Sequence, residues 1–142
     1  MKWIPFAFGA MTAVATADLF IKLAAGKLSN SLAMLIYGSC TFLFGLGWVL
    51  WQRWFAGVPQ FAQPVGVLAA VGVGIAFSAA TLTIYLTFGA GAPVSLASPA
   101  IRLGALLLAS VVGLTLLHEP LTWRYVIGMI LAISGVYLII TR

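Results

Sequence analysis

Five long apolar stretches occupy almost the whole of this sequence, and short segments with glycine, proline or polar residues separate them. An α-helix rising 1.5 Å per residue crosses the roughly 30 Å hydrocarbon core of a bilayer in about 20 residues, so each stretch is long enough to do so. Only 6% of the residues are charged, too few to cover a soluble domain. The sequence predicts an all-α integral membrane protein with one transmembrane domain over residues 1–142. Its helices are expected at about 3–25, 31–51, 65–88, 92–117 and 123–141.

Residues at the ends of the stretches fit these bounds. Gly26 suits a helix C-terminus, and Ser29 and Thr122 can each cap the helix that follows. A group of aromatic residues lies beside Arg53 at the end of the second stretch, as in the interfacial belts of membrane proteins: Trp48, Trp51, Trp54 and Phe55.

The fourth stretch carries a cation, Arg102, close to its middle. An arginine at the bilayer centre costs about 2.5–3.5 kcal/mol on insertion scales and usually faces a cavity or a partner. Pro99 lacks a backbone N–H, which deprives the Ser95 carbonyl of its usual partner and predicts a break in the helix. Transporters commonly line a midplane site with a broken helix beside a charge. We therefore expect Arg102, Ser95 and Ser98 to contact a substrate. The alternative is that Arg102 only pairs with an acid or with freed carbonyl groups.

The other candidate site residues lie in the first three stretches. Asp18 and Lys22 are four residues apart and so share one face of the first helix. Asp18 is expected to pair with Arg102 or to exchange protons, and the alternative is that it only neutralises Lys22. Tyr37 and Tyr85 each offer a hydroxyl group beside apolar surface, as substrate-contacting or as ordinary packing residues.

Several classes of function have no support in the sequence. The single cysteine, Cys40, and the absence of a CxxC pair or His-rich tract give no basis for a metal site. The seven basic residues are dispersed, so the net charge of +5 does not predict nucleic-acid binding. No nucleophile–base arrangement, paired carboxylates or phosphate loop is visible, so we expect neither an enzyme nor a cofactor.

The basic residues are balanced between the two sides of the membrane. With five helices, one side holds Lys2, Arg53 and Arg124, and the other holds Lys22, Lys27 and Arg142. Because both sides hold the same number of basic residues, the positive-inside rule does not favour either orientation. We expect insertion in both orientations and an antiparallel homodimer. The alternative is one orientation fixed by the insertion machinery or by a partner.

Three segments carry a resemblance to a known family. The segments HEPLTWRYVIGMILAISGVYLI, DLFIKLAAGKLS and SPAIRLGALLLASVVGLTLLHEPLT resemble EamA-type members of the drug/metabolite transporter superfamily. Family members usually carry two five-helix halves in tandem. The resemblance therefore implies a half-size transporter that works as a dimer equivalent to a ten-helix inverted repeat. The Asp18–Lys22 pair is similar to the acid and lysine of small multidrug resistance proteins, which implies proton coupling at Asp18.

These observations predict a secondary transporter in the cytoplasmic (inner) membrane that works by alternating access. Its substrate is expected to be a small polar or zwitterionic, amino-acid-like metabolite, with Arg102 meeting the anionic group. The expected partners are the lipid bilayer, a second copy of the chain and the substrate. The alternative is a non-transporting subunit, or one half of a paired lipid-linked sugar flippase.

Overall fold

The computed structural model describes residues 3–57, 59–116, 118, 120 and 122–141. That part of the chain forms five α-helices and contains no strand. The helices are α1 (Ile4–Ala24), α2 (Asn30–Trp54), α3 (Pro64–Gly89), α4 (Val94–Thr115) and α5 (Trp123–Ile140). The largest difference from the predicted bounds is at the end of α2, which continues to Trp54 instead of ending at Trp51. The all-α prediction is confirmed.

All five of these helices are long and apolar enough to cross a membrane. Their most apolar segments have a mean hydropathy between 1.6 and 2.1, and between 0 and 11% of the residues in those segments are buried. Large hydrophobic side chains are exposed along every helix, which fits contact with lipid rather than with water. The chain is a multi-pass helical membrane protein.

The predicted capping residues occupy the helix ends. The Ser29 hydroxyl accepts a hydrogen bond from the backbone N–H of Leu32 at the start of α2. Thr122 accepts one in the same way from the N–H of Tyr125 at the start of α5. Gly26, after the end of α1, has a φ of +76°, a conformation that residues with a Cβ rarely adopt. These caps explain why the helices begin and end close to the predicted positions.

The chain groups into two compact units. One comprises Met1–Asp18 with Gly91–Arg142, and the other comprises Leu19–Ala90. In the first unit α4 packs against α5, and in the second α2 packs against α3. Helix α1 contributes its residues up to Asp18 to the first unit and its last turns to the second. The single transmembrane domain stays a prediction.

The structure describes only some of the basic residues on which the predicted orientation depends. Arg53 lies in the last turn of α2, Arg124 in the first turn of α5, and Lys22 in the last turn of α1. Lys2 and Arg142, which also enter the balance, lie outside the described residues. Insertion in two orientations and the antiparallel dimer therefore stay predictions.

Candidate functional site

Helix α4 positions Arg102 within a candidate membrane span. The helix begins after Pro93, whose carbonyl accepts hydrogen bonds from the N–H groups of Leu96 and Ala97. Arg102 is the ninth of the 22 residues of α4. At 1.5 Å per residue its Cα lies about 12 Å from the start of a helix about 32 Å long, close to the middle of the span.

Arg102 forms an ion pair with Asp18, and both residues belong to the first unit. The Arg102 Nη2 donates a hydrogen bond to Asp18 Oδ1 over 2.9 Å, which joins α4 to α1. Asp18 is buried, with 5% of its surface exposed. The Arg102 side chain is 46% exposed. The acid is therefore enclosed, whereas almost half of the cation's side-chain surface is accessible.

This geometry leaves Arg102 able to bind a second group. A guanidinium has five N–H donors in a planar fork, and the contact with Asp18 uses one of them. An arginine binds carboxylates best through two parallel N–H donors. An anionic group can therefore bind Arg102 while Asp18 keeps the side chain in place. Asp18 also offsets part of the cost of placing a cation in the membrane.

Lys22 lies at the end of a different helix from the one that carries Arg102. Its Nζ donates a hydrogen bond to the carbonyl of Phe88 over 3.4 Å and lies 5.8 Å from the centre of the Phe88 ring. Phe88 is the last residue but one of α3, so Lys22 stands at the negative end of that helix dipole. The structure thus places the Asp18 carboxylate on Arg102 and gives Lys22 a stabilising position at the C-terminus of α3.

The predicted helix break at Pro99 is wrong. Helix α4 runs through Pro99, which is its sixth residue. Pro99 removes one backbone N–H donor, and therefore one hydrogen bond, from the second turn of α4. The residues on both sides of Pro99 stay helical in spite of this lost hydrogen bond. A sequence pattern reveals the missing N–H but cannot tell whether the neighbouring turns compensate.

The two predicted serines differ in exposure. Ser95 is exposed and Ser98 is half-buried. The Ser98 Oγ is itself buried and, among the described residues, has no hydrogen-bond partner. Ser98 is four residues before Arg102, so the two share a face of α4. A substrate-binding role for these serines stays a prediction.

Tyr37 and Tyr85 belong to the second unit, and both are half-buried. Tyr37 lines an open groove of about 470 Å³ between α2 and α3. We call this the α2–α3 groove; it is lined by Tyr37, Gly38, Thr41, Phe42, Val73, Gly74, Phe77 and Ser78. Its wall is mainly apolar and aromatic. Substrate contact by either tyrosine stays a prediction.

One polar cluster was missed by the sequence reasoning. The hydroxyl groups of Ser110 on α4 and Tyr125 on α5 are hydrogen-bonded to each other, and the Met129 sulfur lies 3.9 Å from Ser110 Oγ. Ser110 and Tyr125 also line a cavity of about 110 Å³ together with Leu114, Pro120 and Thr122. The only sequence signal was a polar residue on each of two apolar helices, and sequence does not give the register between them.

Within the described part of the chain, no group of three His, Cys, Asp or Glu side chains is placed to hold a metal ion. Comparison with protein-family models, with curated protein sequences and with solved structures gives no match. The helices and the ion pair define the class of protein: a multi-pass helical membrane protein with a charged pair inside its candidate spans. Membership of the EamA-type transporters stays a prediction.

Proposed function

We propose that this protein is a secondary transporter of a small polar or zwitterionic, amino-acid-like metabolite. The observation that carries the proposal is the Asp18–Arg102 pair within two candidate spans, with the acid enclosed and the Arg102 side chain almost half exposed. Charged groups are rare in membrane spans and mark substrate or ion pathways. Arg102 receives the anionic group of the substrate, and Asp18 holds Arg102 in position.

Charge balance supports a zwitterion over a simple ion. The ion pair has no net charge and neither does a zwitterion, so binding adds no net charge to a region of low dielectric constant. A cationic substrate would be repelled by Arg102. A substrate with a carboxylate and an ammonium group can place its carboxylate against Arg102, while its own ammonium group keeps the bound molecule neutral.

Asp18 gives the proposed site a means of proton coupling. Its carboxylate is the described partner of Arg102. A proton on that carboxylate would remove its charge and leave the guanidinium to the substrate. Proton binding and anion binding would then favour each other, because a charged Asp18 and the substrate anion would both place a negative charge next to the same guanidinium.

The working unit in this proposal is an antiparallel homodimer in the cytoplasmic (inner) membrane. Five helices correspond to one half of a ten-helix inverted-repeat transporter, and alternating access in such proteins moves one half against the other around the site. The balanced basic residues and the EamA resemblance support this arrangement.

The test is a ligand-stabilisation screen on purified protein. We expect zwitterionic amino acids to raise the melting temperature of the wild type, because a ligand that binds the folded state stabilises it by mass action. The corresponding amines, which lack the carboxylate, should not. Arg102→Ala should abolish the shift, whereas Lys27→Ala, which removes an exposed cation in the turn after α1, should keep it. Equal shifts in wild type and Arg102→Ala would contradict the proposal.

A further inference from the structure

A cleft with one charged and one amide side chain lies where α2 runs into the segment that joins it to α3. The cleft has a volume of about 400 Å³ and is lined by Arg53, Gly57, Pro59 and Gln60. The Gln60 amide nitrogen donates a hydrogen bond to Gln52 Oε1 over 3.3 Å. Arg53 is exposed and lies in the last turn of α2. The cleft thus combines a cation with a neighbouring amide group.

Helix length and aromatic residues lead us to expect the cleft at the level of lipid headgroups. Helix α2 has 25 residues and is therefore about 37 Å long, several ångströms more than the roughly 30 Å hydrocarbon core. Exposed aromatic rings surround this end of the helix: Trp48, Trp51, Trp54 and Phe55. Tryptophan is enriched at the membrane–water interface. These features favour a position of Arg53 at the level of the lipid phosphates.

The α2–α3 groove lies below the cleft on the same side of α2. Phe42 in the groove and Arg53 in the cleft are 11 residues apart, which is close to three helical turns. The two residues therefore share a stripe of α2, separated by about 16 Å along the helix axis. The acyl chains of one leaflet fill about 15 Å, half of the hydrocarbon core. The groove is within reach of an acyl chain whose headgroup is at Arg53.

We propose that the α2–α3 hairpin binds one anionic glycerophospholipid, with its phosphate in the cleft and an acyl chain in the α2–α3 groove. The planar guanidinium of Arg53 matches phosphate oxygens in geometry and charge, and Gln60 adds an amide donor. A small soluble anion would use the cleft and leave the groove empty. A helix of a second chain would use the groove and leave Arg53 without an anion. An amphiphile of this length has an anionic group for the cleft and an apolar chain for the groove.

The headgroup is tested with delipidated protein in detergent. Native mass spectrometry would measure binding of phosphatidylglycerol and of phosphatidylcholine with the same acyl chains. We expect the wild type to prefer phosphatidylglycerol and Arg53→Gln to lose about tenfold in affinity for it, because a charge-assisted contact is removed. Arg124→Gln, which removes the cation at the start of α5, is the matched control and should bind as the wild type does. Equal losses in both variants would overturn the proposal.

The acyl-chain part is tested with two glycines of α3. A Cβ built on Gly74 or on Gly72 meets no atom within 4 Å, and only Gly74 lines the groove. Gly74→Leu should weaken binding of long-chain phosphatidylglycerol, and Gly72→Leu should not. Neither should affect a dihexanoyl lipid, whose chains are too short to reach the groove. Full competition by millimolar inorganic phosphate, or equal behaviour of the two glycine variants, would reduce the site to an anion-binding cleft and contradict the proposal.

Discussion

At the scale of single residues, the Asp18–Arg102 ion pair joins one buried residue to one that is almost half exposed. Asp18 is enclosed and carries a charge that needs a partner, whereas Arg102 is almost half exposed. Breaking a fully buried pair costs about 3–5 kcal/mol. In the proposed site the exposed part of Arg102 faces the substrate cavity, and water in that cavity reduces this figure.

Asp18→Asn should therefore destabilise the protein by about 1–3 kcal/mol, since it leaves Arg102 without its carboxylate. Thermal unfolding in detergent would measure the loss. The double variant Asp18→Asn/Arg102→Gln should recover much of it, because the orphaned cation is gone. A double variant less stable than Asp18→Asn alone would show that the loss of stability does not come from an unpaired Arg102.

Arg102→Lys tests whether the fork geometry of the guanidinium matters. Lysine keeps the charge but offers a single ammonium group, so we expect ligand binding to weaken by about tenfold without being abolished. Ligand titration of the melting temperature gives the affinity. Unchanged affinity would mean that Arg102 acts only as a point charge.

At the scale of the helices, the correction at Pro99 has a consequence for function. Because α4 already continues through Pro99, the substitution Pro99→Ala restores one backbone donor without changing the course of the helix. We expect Pro99→Ala to keep its ligand binding and to be at least as stable as the wild type. Loss of binding with an intact fold would mean that the proline itself shapes the site.

Helix bounds followed from sequence because they depend on local signals. Each signal involves only residues that are close in the sequence. The signals are the apolar stretches, the caps at Ser29 and Thr122, and Gly26. The partner of Asp18 could not be chosen from sequence, because Lys22 is one turn away while Arg102 is 84 residues away. Only the packing of helices decides such a choice. The contact between Ser110 and Tyr125 was missed for the same reason.

At the scale of the whole molecule, orientation in the membrane is the open prediction. A reporter fused to the C-terminus should be active on both sides of the membrane, because basic residues do not favour either side. Two added lysines beside Lys2 should shift the population to one orientation and impair transport. A co-expressed copy with the opposite bias should restore it. A wild-type reporter active on one side only would exclude the antiparallel homodimer.

The most direct measurement of the central claim is substrate exchange in proteoliposomes, with the zwitterion that stabilises the purified protein. Wild type and Lys27→Ala should exchange labelled substrate at similar rates. Arg102→Ala, checked to be folded by its melting curve, should lose exchange, because the anionic group has lost its partner. Folded Arg102→Ala protein with undiminished exchange would contradict the claim that the Asp18–Arg102 pair forms the substrate site.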